Sequence, residues 1–254
     1  MFDHRLSKNE ITLLSKICRK ERSIEELAEG ISYSRTSELL TDLEDKGFVT
    51  KSKGLKKTIK RAKTEHAQEF CKLITLFPHI DWKEHLSDSK VQILTQICHS
   101  PSNTKELADI TGKTNKTVRN NLKKPLEIGM VKRSKEKYEI TGRFTPCCSF
   151  LKSWRYFYDI SLIENIAPNS TIVWQGGLEF IIESESPIEQ GCFVETGPSI
   201  LTKLDDQLVY RNHTYIFTNR TLKTKDHLKN ALRVAPRNQR ILNSVEKISK
   251  ERSF

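Results

Sequence analysis

Asn115, Lys116, Arg119 and Asn120 crowd into six consecutive positions, and their side chains suit recognition better than bond making. Arg can pair in bidentate fashion with guanine, and Asn with adenine, on the edges of bases in a major groove. Earlier in the chain Arg35 and Thr36 form a weaker set of the same kind, diluted by Glu38 and Asp42. Backbone-phosphate contacts have their own candidates. From Lys51 to Lys63 the chain reads KSKGLKKTIKRAK, seven basic residues without an acid. Lys51, Lys53, Lys56, Lys57, Lys60, Arg61 and Lys63 would neutralise phosphates and release counterions. A second, sparser set is Lys132, Arg133 and Lys135. The simpler alternative is that these charged segments are solvated loops.

Other chemistry is weakly represented. Cys147 and Cys148 are adjacent thiols, which can sense oxidants or soft metals or can be buried in a helix. The seven histidines form no HxH or HxxxH pair, and there is no Cys-x-x-Cys, so no metal site is expected. No nucleophile elbow, phosphate-binding glycine loop or paired-carboxylate motif appears. The expectation is a non-enzyme that needs no cofactor.

The elements that must position the base-reading set are duplicated. ITLLSKIC at 11–18 returns as VQILTQIC at 91–98, with apolar residues at helical spacing. Ser23 with Glu26, and Asn103 with Glu106, have the spacing of a helix-capping box. A turn and a longer helix follow in each copy, roughly 34–46 and 114–124, with Leu39, Leu40 and Leu43 inward in one and Val118 and Leu122 in the other. Pro125 is expected to kink or end the second helix, because it has no amide to donate. Gly47 and Gly129 then stand where a left-handed residue ends a helix. GFVTKSK at 47–53 and GMVKRSK at 129–135 start basic hairpins.

Over about residues 7–62 and 87–141, this order resembles the tandem relatives of the prokaryotic and archaeal ArsR/MarR-like winged helix-turn-helix regulators. The resemblance implies a mainly α fold with β-hairpin wings, each longer helix entering a major groove. The segment equivalent to the metal-sensing helix of some ArsR-like proteins reads SIEELAEG, without cysteine, so that metal site does not carry over. The expected organisation is module 1 at 1–80, module 2 at 81–163, and an α+β effector or partner-binding domain at 164–254. In that last part 171–184, 192–196 and 207–218 read as strands, and 224–235 and 237–251 as helices. Gly176-Gly177 reads as a bulge or tight bend. Trp174, Glu179, Glu195, Tyr210 and His213 could line a pocket, though no spacing says that they converge.

Charge supports a polyanionic partner. Of a net +11, residues 1–161 hold 31 Lys and Arg against 21 Asp and Glu, and residues 162–254 hold 12 against 11. The excess therefore belongs to the repeated region. No apolar run is long enough to span a membrane, and the N-terminus lacks a secretory pattern, so a cytoplasmic location is expected. Six cysteines without regular spacing argue against a disulfide framework. Cys18 and Cys98 read as buried small hydrophobes. The apolar stretches 66–77 and 147–163 either pack on their own modules or form a homodimer through Phe70, Ile74, Phe77, Phe150, Trp154 and Phe157. The expected function is sequence-specific binding of double-stranded DNA by a transcriptional regulator acting as a repressor. A replication initiator or partition protein is the first alternative, and a protein-interaction adaptor the second.

Overall fold

The computed structural model describes residues 4–52, 58–189 and 191–251. The chain divides into two compact units: Met1–Ala108 with Lys113–Tyr158, and Asp109–Gly112 with Asp159–Phe254.

In the first unit, α1 (Lys8–Arg19) starts at Ser7, whose Oγ accepts the Glu10 amide while the Glu10 carboxylate accepts the Ser7 amide. Ile11, Leu14 and Ile17 recur at helical spacing and are buried. The two-residue strand β1 (Arg22–Ser23) runs into α2 (Ile24–Leu27), which has the expected capping box. Glu26 N donates to Ser23 Oγ at 3.3 Å, and Ser23 N donates to the Glu26 carboxylate at 2.9 Å. α3 (Tyr33–Asp45) buries Thr36, Leu39, Leu40 and Leu43. It ends at Gly47, whose φ of +70° needs a residue without Cβ. A Cβ there would also meet the Phe157 ring at 2.9 Å. β2 (Val49–Lys51) and β3 (Thr58–Arg61) form a hairpin that β1 completes, in the antiparallel order β1-β3-β2. α4 (Glu65–Leu76) follows.

After the short α5 (Lys83–Leu86) the order repeats. α6 (Ser89–His99) leads to α7 (Thr104–Thr111), where Asn103 and Glu106 again exchange capping bonds of 3.0 and 2.8 Å. α8 (Asn115–Glu127) continues past Pro125 for two residues. The helix does not stop at Pro125 itself but ends at Glu127. Pro125 lies in the last turn, so its missing amide removes only one late bond, and its ring is buried in line with Val118 and Leu122. Met130 N closes the end on Pro125 O at 2.9 Å. β4 (Val131–Ser134) and β5 (Lys137–Ile140) form the second hairpin, and Tyr138 and Ser102 exchange two backbone bonds where β1 meets β3 in the first copy. α9 (Thr145–Ile166) comes last in the repeat.

One hydrophobic core runs through both copies, from Leu6 to Trp154. Phe48 meets Trp154 at 4.9 Å and Phe77 stacks on Phe144 at 4.9 Å between ring centroids. The Trp154 indole donates to His4 O at 2.8 Å. Phe70, Ile74, Phe77, Phe150 and Trp154 are buried in this core, and Phe157 packs against it. The five buried side chains are therefore already used within the chain, as the packing alternative expected, and Phe157 is half-buried against the same core.

The cysteines are the largest departure from expectation. Cys18 is bonded to Cys71, and Cys98 to Cys148. In each copy the end of the first helix is tied to the helix after the hairpin, across 53 and 50 residues. The expectations of no disulfides, and of Cys18 and Cys98 as plain apolar residues, are both corrected.

The second unit has a four-stranded antiparallel sheet in the order β6-β7-β9-β8, made of β6 (Ser170–Gly176), β7 (Glu179–Ser184), β8 (Phe193–Glu195) and β9 (His213–Phe217). Gly177 has a φ of +68° in the two-residue turn between β6 and β7, the tight bend expected of this Gly-Gly pair. α10 (Pro198–Leu201), α11 (Thr224–Val234) and α12 (Gln239–Glu251) share a core of Leu201, Leu228, Ala231, Ile241 and Ile248.

Candidate nucleic-acid interface

α8 is positioned by its apolar stripe. With Val118, Leu122 and Pro125 buried, the helix turns Asn115, Lys116, Arg119, Asn120 and Lys123 to solvent, all exposed. Thr114 caps the start by accepting the Thr117 amide at 3.2 Å. The face thus offers two cations and two amides to a partner along its first turns, with Lys123 one turn further on.

α3 presents a poorer face. Arg35 is exposed but bonded to Glu38 at 2.8 Å. Thr36 is fully buried and its hydroxyl donates to Ser32 O at 3.0 Å, so it is withdrawn as a base-reading candidate. The spacing explains this: Thr36 lies three and four residues before Leu39 and Leu40, on the inward stripe. Tyr33, at the first turn and 55% exposed, is a contact candidate that sequence reasoning passed over. An aromatic residue beside a helix cap was the available signal.

The hairpins divide similarly. Lys60, Arg61 and Lys63 are exposed. Lys51 is half-buried and folds back onto α3, with Nζ 2.8 Å from Glu44 and 3.2 Å from Thr41 Oγ1; its charge is compensated within the chain. Lys53, Lys56 and Lys57 lie outside the described residues. In the second hairpin Lys132 pairs with Glu139 at 3.1 Å, and the Arg133 guanidinium lies 5.9 Å from the centre of the Tyr138 ring. Lys135 and Glu136 form the tip, both with left-handed φ, +46° and +68°. That is the conformation of a two-residue hairpin turn normally given to Asn-Gly.

The connection between the copies is itself charged. Glu84 on α5 is ion-paired to Lys8 of α1 at 2.7 Å and to Lys124 of α8. Hydrogen bonds from Lys124 and Lys8 hold its carboxyl down to about 2. One carboxylate therefore joins the first helix of one copy to the reader-like helix of the other.

The thiols are not a reactive pair. Cys147 is buried and its thiol is pushed up to about 12 by desolvation, while Cys148 is engaged by Cys98. Thiolate chemistry needs the opposite environment, so the reading of Cys147 and Cys148 as a redox pair is corrected.

In the second unit the five pocket candidates have separate partners. Glu179 binds Arg220 at 2.7 Å, Glu195 pairs with Lys203, and Tyr210 bonds to Glu183. The Arg233 guanidinium lies 3.7 Å from the centre of the Trp174 ring, and His213 stacks near Tyr215. Among the described residues no helix is long and apolar enough to cross a membrane. Neither protein-family models nor curated proteins give a match to this chain.

Proposed function

We propose that the chain binds double-stranded DNA through two tandem winged helix-turn-helix modules and acts as a transcriptional regulator, a repressor by occlusion of the bound site. The observation that carries this reading is the α8 face, where Asn115, Lys116, Arg119 and Asn120 are all exposed opposite a buried stripe. Its support is the repeated order of three helices and a hairpin, with β1 completing the sheet in the first copy and the Ser102–Tyr138 bridge in its place in the second. Arg and Asn are the residues whose planar donor and acceptor groups read guanine and adenine.

The copies do unequal work in this reading. α8 supplies most base contacts, and the β2–β3 hairpin, with Lys60, Arg61 and Lys63 exposed, supplies phosphate contacts that fix register. The second unit is nearly neutral and serves as an effector or partner-binding domain. Selection of bound duplexes from a random pool tests this directly. The expected result is an enriched motif that Arg119→Ala blurs at one position; a pool that stays random with the wild-type chain would refute sequence-specific binding.

A further inference from the structure

A cationic cleft is lined by residues other than those proposed to touch DNA. Two adjoining hollows, of 190 and 360 Å³, share Ser15, Arg19, Asp81 and Lys83. The first is also lined by Lys16 and Arg22, and the second by Ile74, Phe77 and Ile80. None of the lining residues comes from α3, α8 or the two hairpins. Four cations thus meet from three parts of the chain, α1, β1 and the start of α5, with Asp81 as the single carboxylate in the lining.

Helix electrostatics account for only part of this. Lys16 and Arg19 stand in the last turn of α1, where a cation is favoured by the helix dipole. Arg22, on β1, has no such reason to be there. Asp81 is already paired with Lys83 at 3.2 Å, leaving Lys16, Arg19 and Arg22 without a carboxylate in the cleft. Arg22 Nε and the indole nitrogen of Trp82 are buried donors with no acceptor among the described residues, and such donors normally have partners. The hydroxyls of Thr12 and Ser15 spend their protons on Lys8 O and Ile11 O at 2.9 and 2.8 Å, so toward the cleft they can only accept.

We propose that this cleft binds a small phosphate-bearing molecule with hydroxyl donors and an apolar face, of the nucleotide or sugar-phosphate class. The phosphate would lie among Lys16, Arg19, Arg22 and Lys83, hydroxyls would donate to Thr12 and Ser15, and the apolar face would rest on Ile74, Phe77 and Ile80. The cleft adjoins α5, whose Glu84 holds both Lys8 and Lys124, so occupancy would bear on the joint between the copies.

Calorimetric titration of the full chain with inorganic pyrophosphate and with adenosine 5′-monophosphate, without DNA, tests the site. One equivalent of at least one probe should bind with a dissociation constant below about 1 mM. The Lys16→Gln/Lys83→Gln variant should weaken it at least about tenfold, and Arg19→Gln similarly, with melting temperatures near wild type. Absence of binding by both probes at about 10 mM, or binding unchanged in both variants, overturns the proposal. If neither probe binds but the variants lose affinity for duplex DNA, the cleft serves DNA phosphate and the small-molecule site is refuted.

Discussion

Phe70 and Phe150 meet edge to face, with ring centroids 5.1 Å apart, and they sit on α4 and α9, the helices that leave the two hairpins. The contact joins the copies through their own apolar stripes. Edge-to-face aromatic pairs add about 0.5–1.5 kcal/mol beyond burial, and removing a fully buried Phe costs about 3–5 kcal/mol. Phe150→Ala should therefore destabilise both copies together, as one shifted calorimetric transition for residues 4–158. Two separate transitions, only one of them shifted, would show that the copies fold independently.

The paired disulfides should set much of that stability. Closing a loop of about 50 residues constrains the unfolded chain by about 4 kcal/mol in the chain-entropy model. Reduction, or Cys71→Ser with Cys148→Ser, should lower the melting temperature markedly, and alkylation of the denatured, unreduced protein should modify Cys147 and Cys192 alone, the two free thiols. Modification of all six cysteines without reductant would remove the disulfides from the account.

These bonds illustrate where the sequence was silent. The helices, capping boxes and hairpins were legible because local spacing encodes them: Ser23 reaches only as far as Glu26. Cys71 lies in an apolar stripe and reads as one more hydrophobe, and its partner is 53 residues away. The repeat itself held the missing signal, since Cys18 matches Cys98 and Cys71 matches Cys148 once the shorter second hairpin is allowed for. Similarly, the stripes of α4 and α9 were visible, but nothing local says that each is the other's partner. Thr36 was misplaced by its polarity, although its position in the period was already inward. Of the base-reading set, the α8 residues were legible because Val118 and Leu122 fix which face is left to solvent.

Acid should weaken the fold in a defined window. Burial holds His66 down to about 4, and burial with the nearby Arg155 and Lys46 charges holds His4 well below its ordinary value. Below pH 6.5 the unfolded chain binds protons that these folded histidines refuse, so stability is fully present above 6.5 and falls as pH falls toward about 4. Glu84, held to about 2, adds its loss at lower pH. Denaturant titrations along this range should show the decline, and His66→Gln should flatten it; a flat wild-type profile contradicts the burial of these rings.

The hairpin tip offers a stabilising change. Lys135 and Glu136 both adopt left-handed φ, each at a cost of about 1 kcal/mol or more for a residue with a Cβ. Glu136→Gly should raise the melting temperature and, by removing an acid from a basic hairpin, tighten DNA binding. A lower melting temperature would mean that the tip is not a turn of this type.

On α8, Arg119→Ala should cost about 1–3 kcal/mol on a selected duplex and much less on random duplex, with stability near wild type because the side chain is exposed. Lys60→Ala with Arg61→Ala should weaken both duplexes alike. Reversal of these two patterns would exchange the roles of helix and hairpin.

Fluorescence anisotropy of the full chain with a labelled duplex, followed from 50 to 200 mM salt, tests DNA binding most directly. Six to ten phosphate contacts predict a loss of affinity of about 10³–10⁵ over that range. No binding at about 50 mM salt, or an affinity that does not change with salt, would contradict a DNA-binding function for this chain.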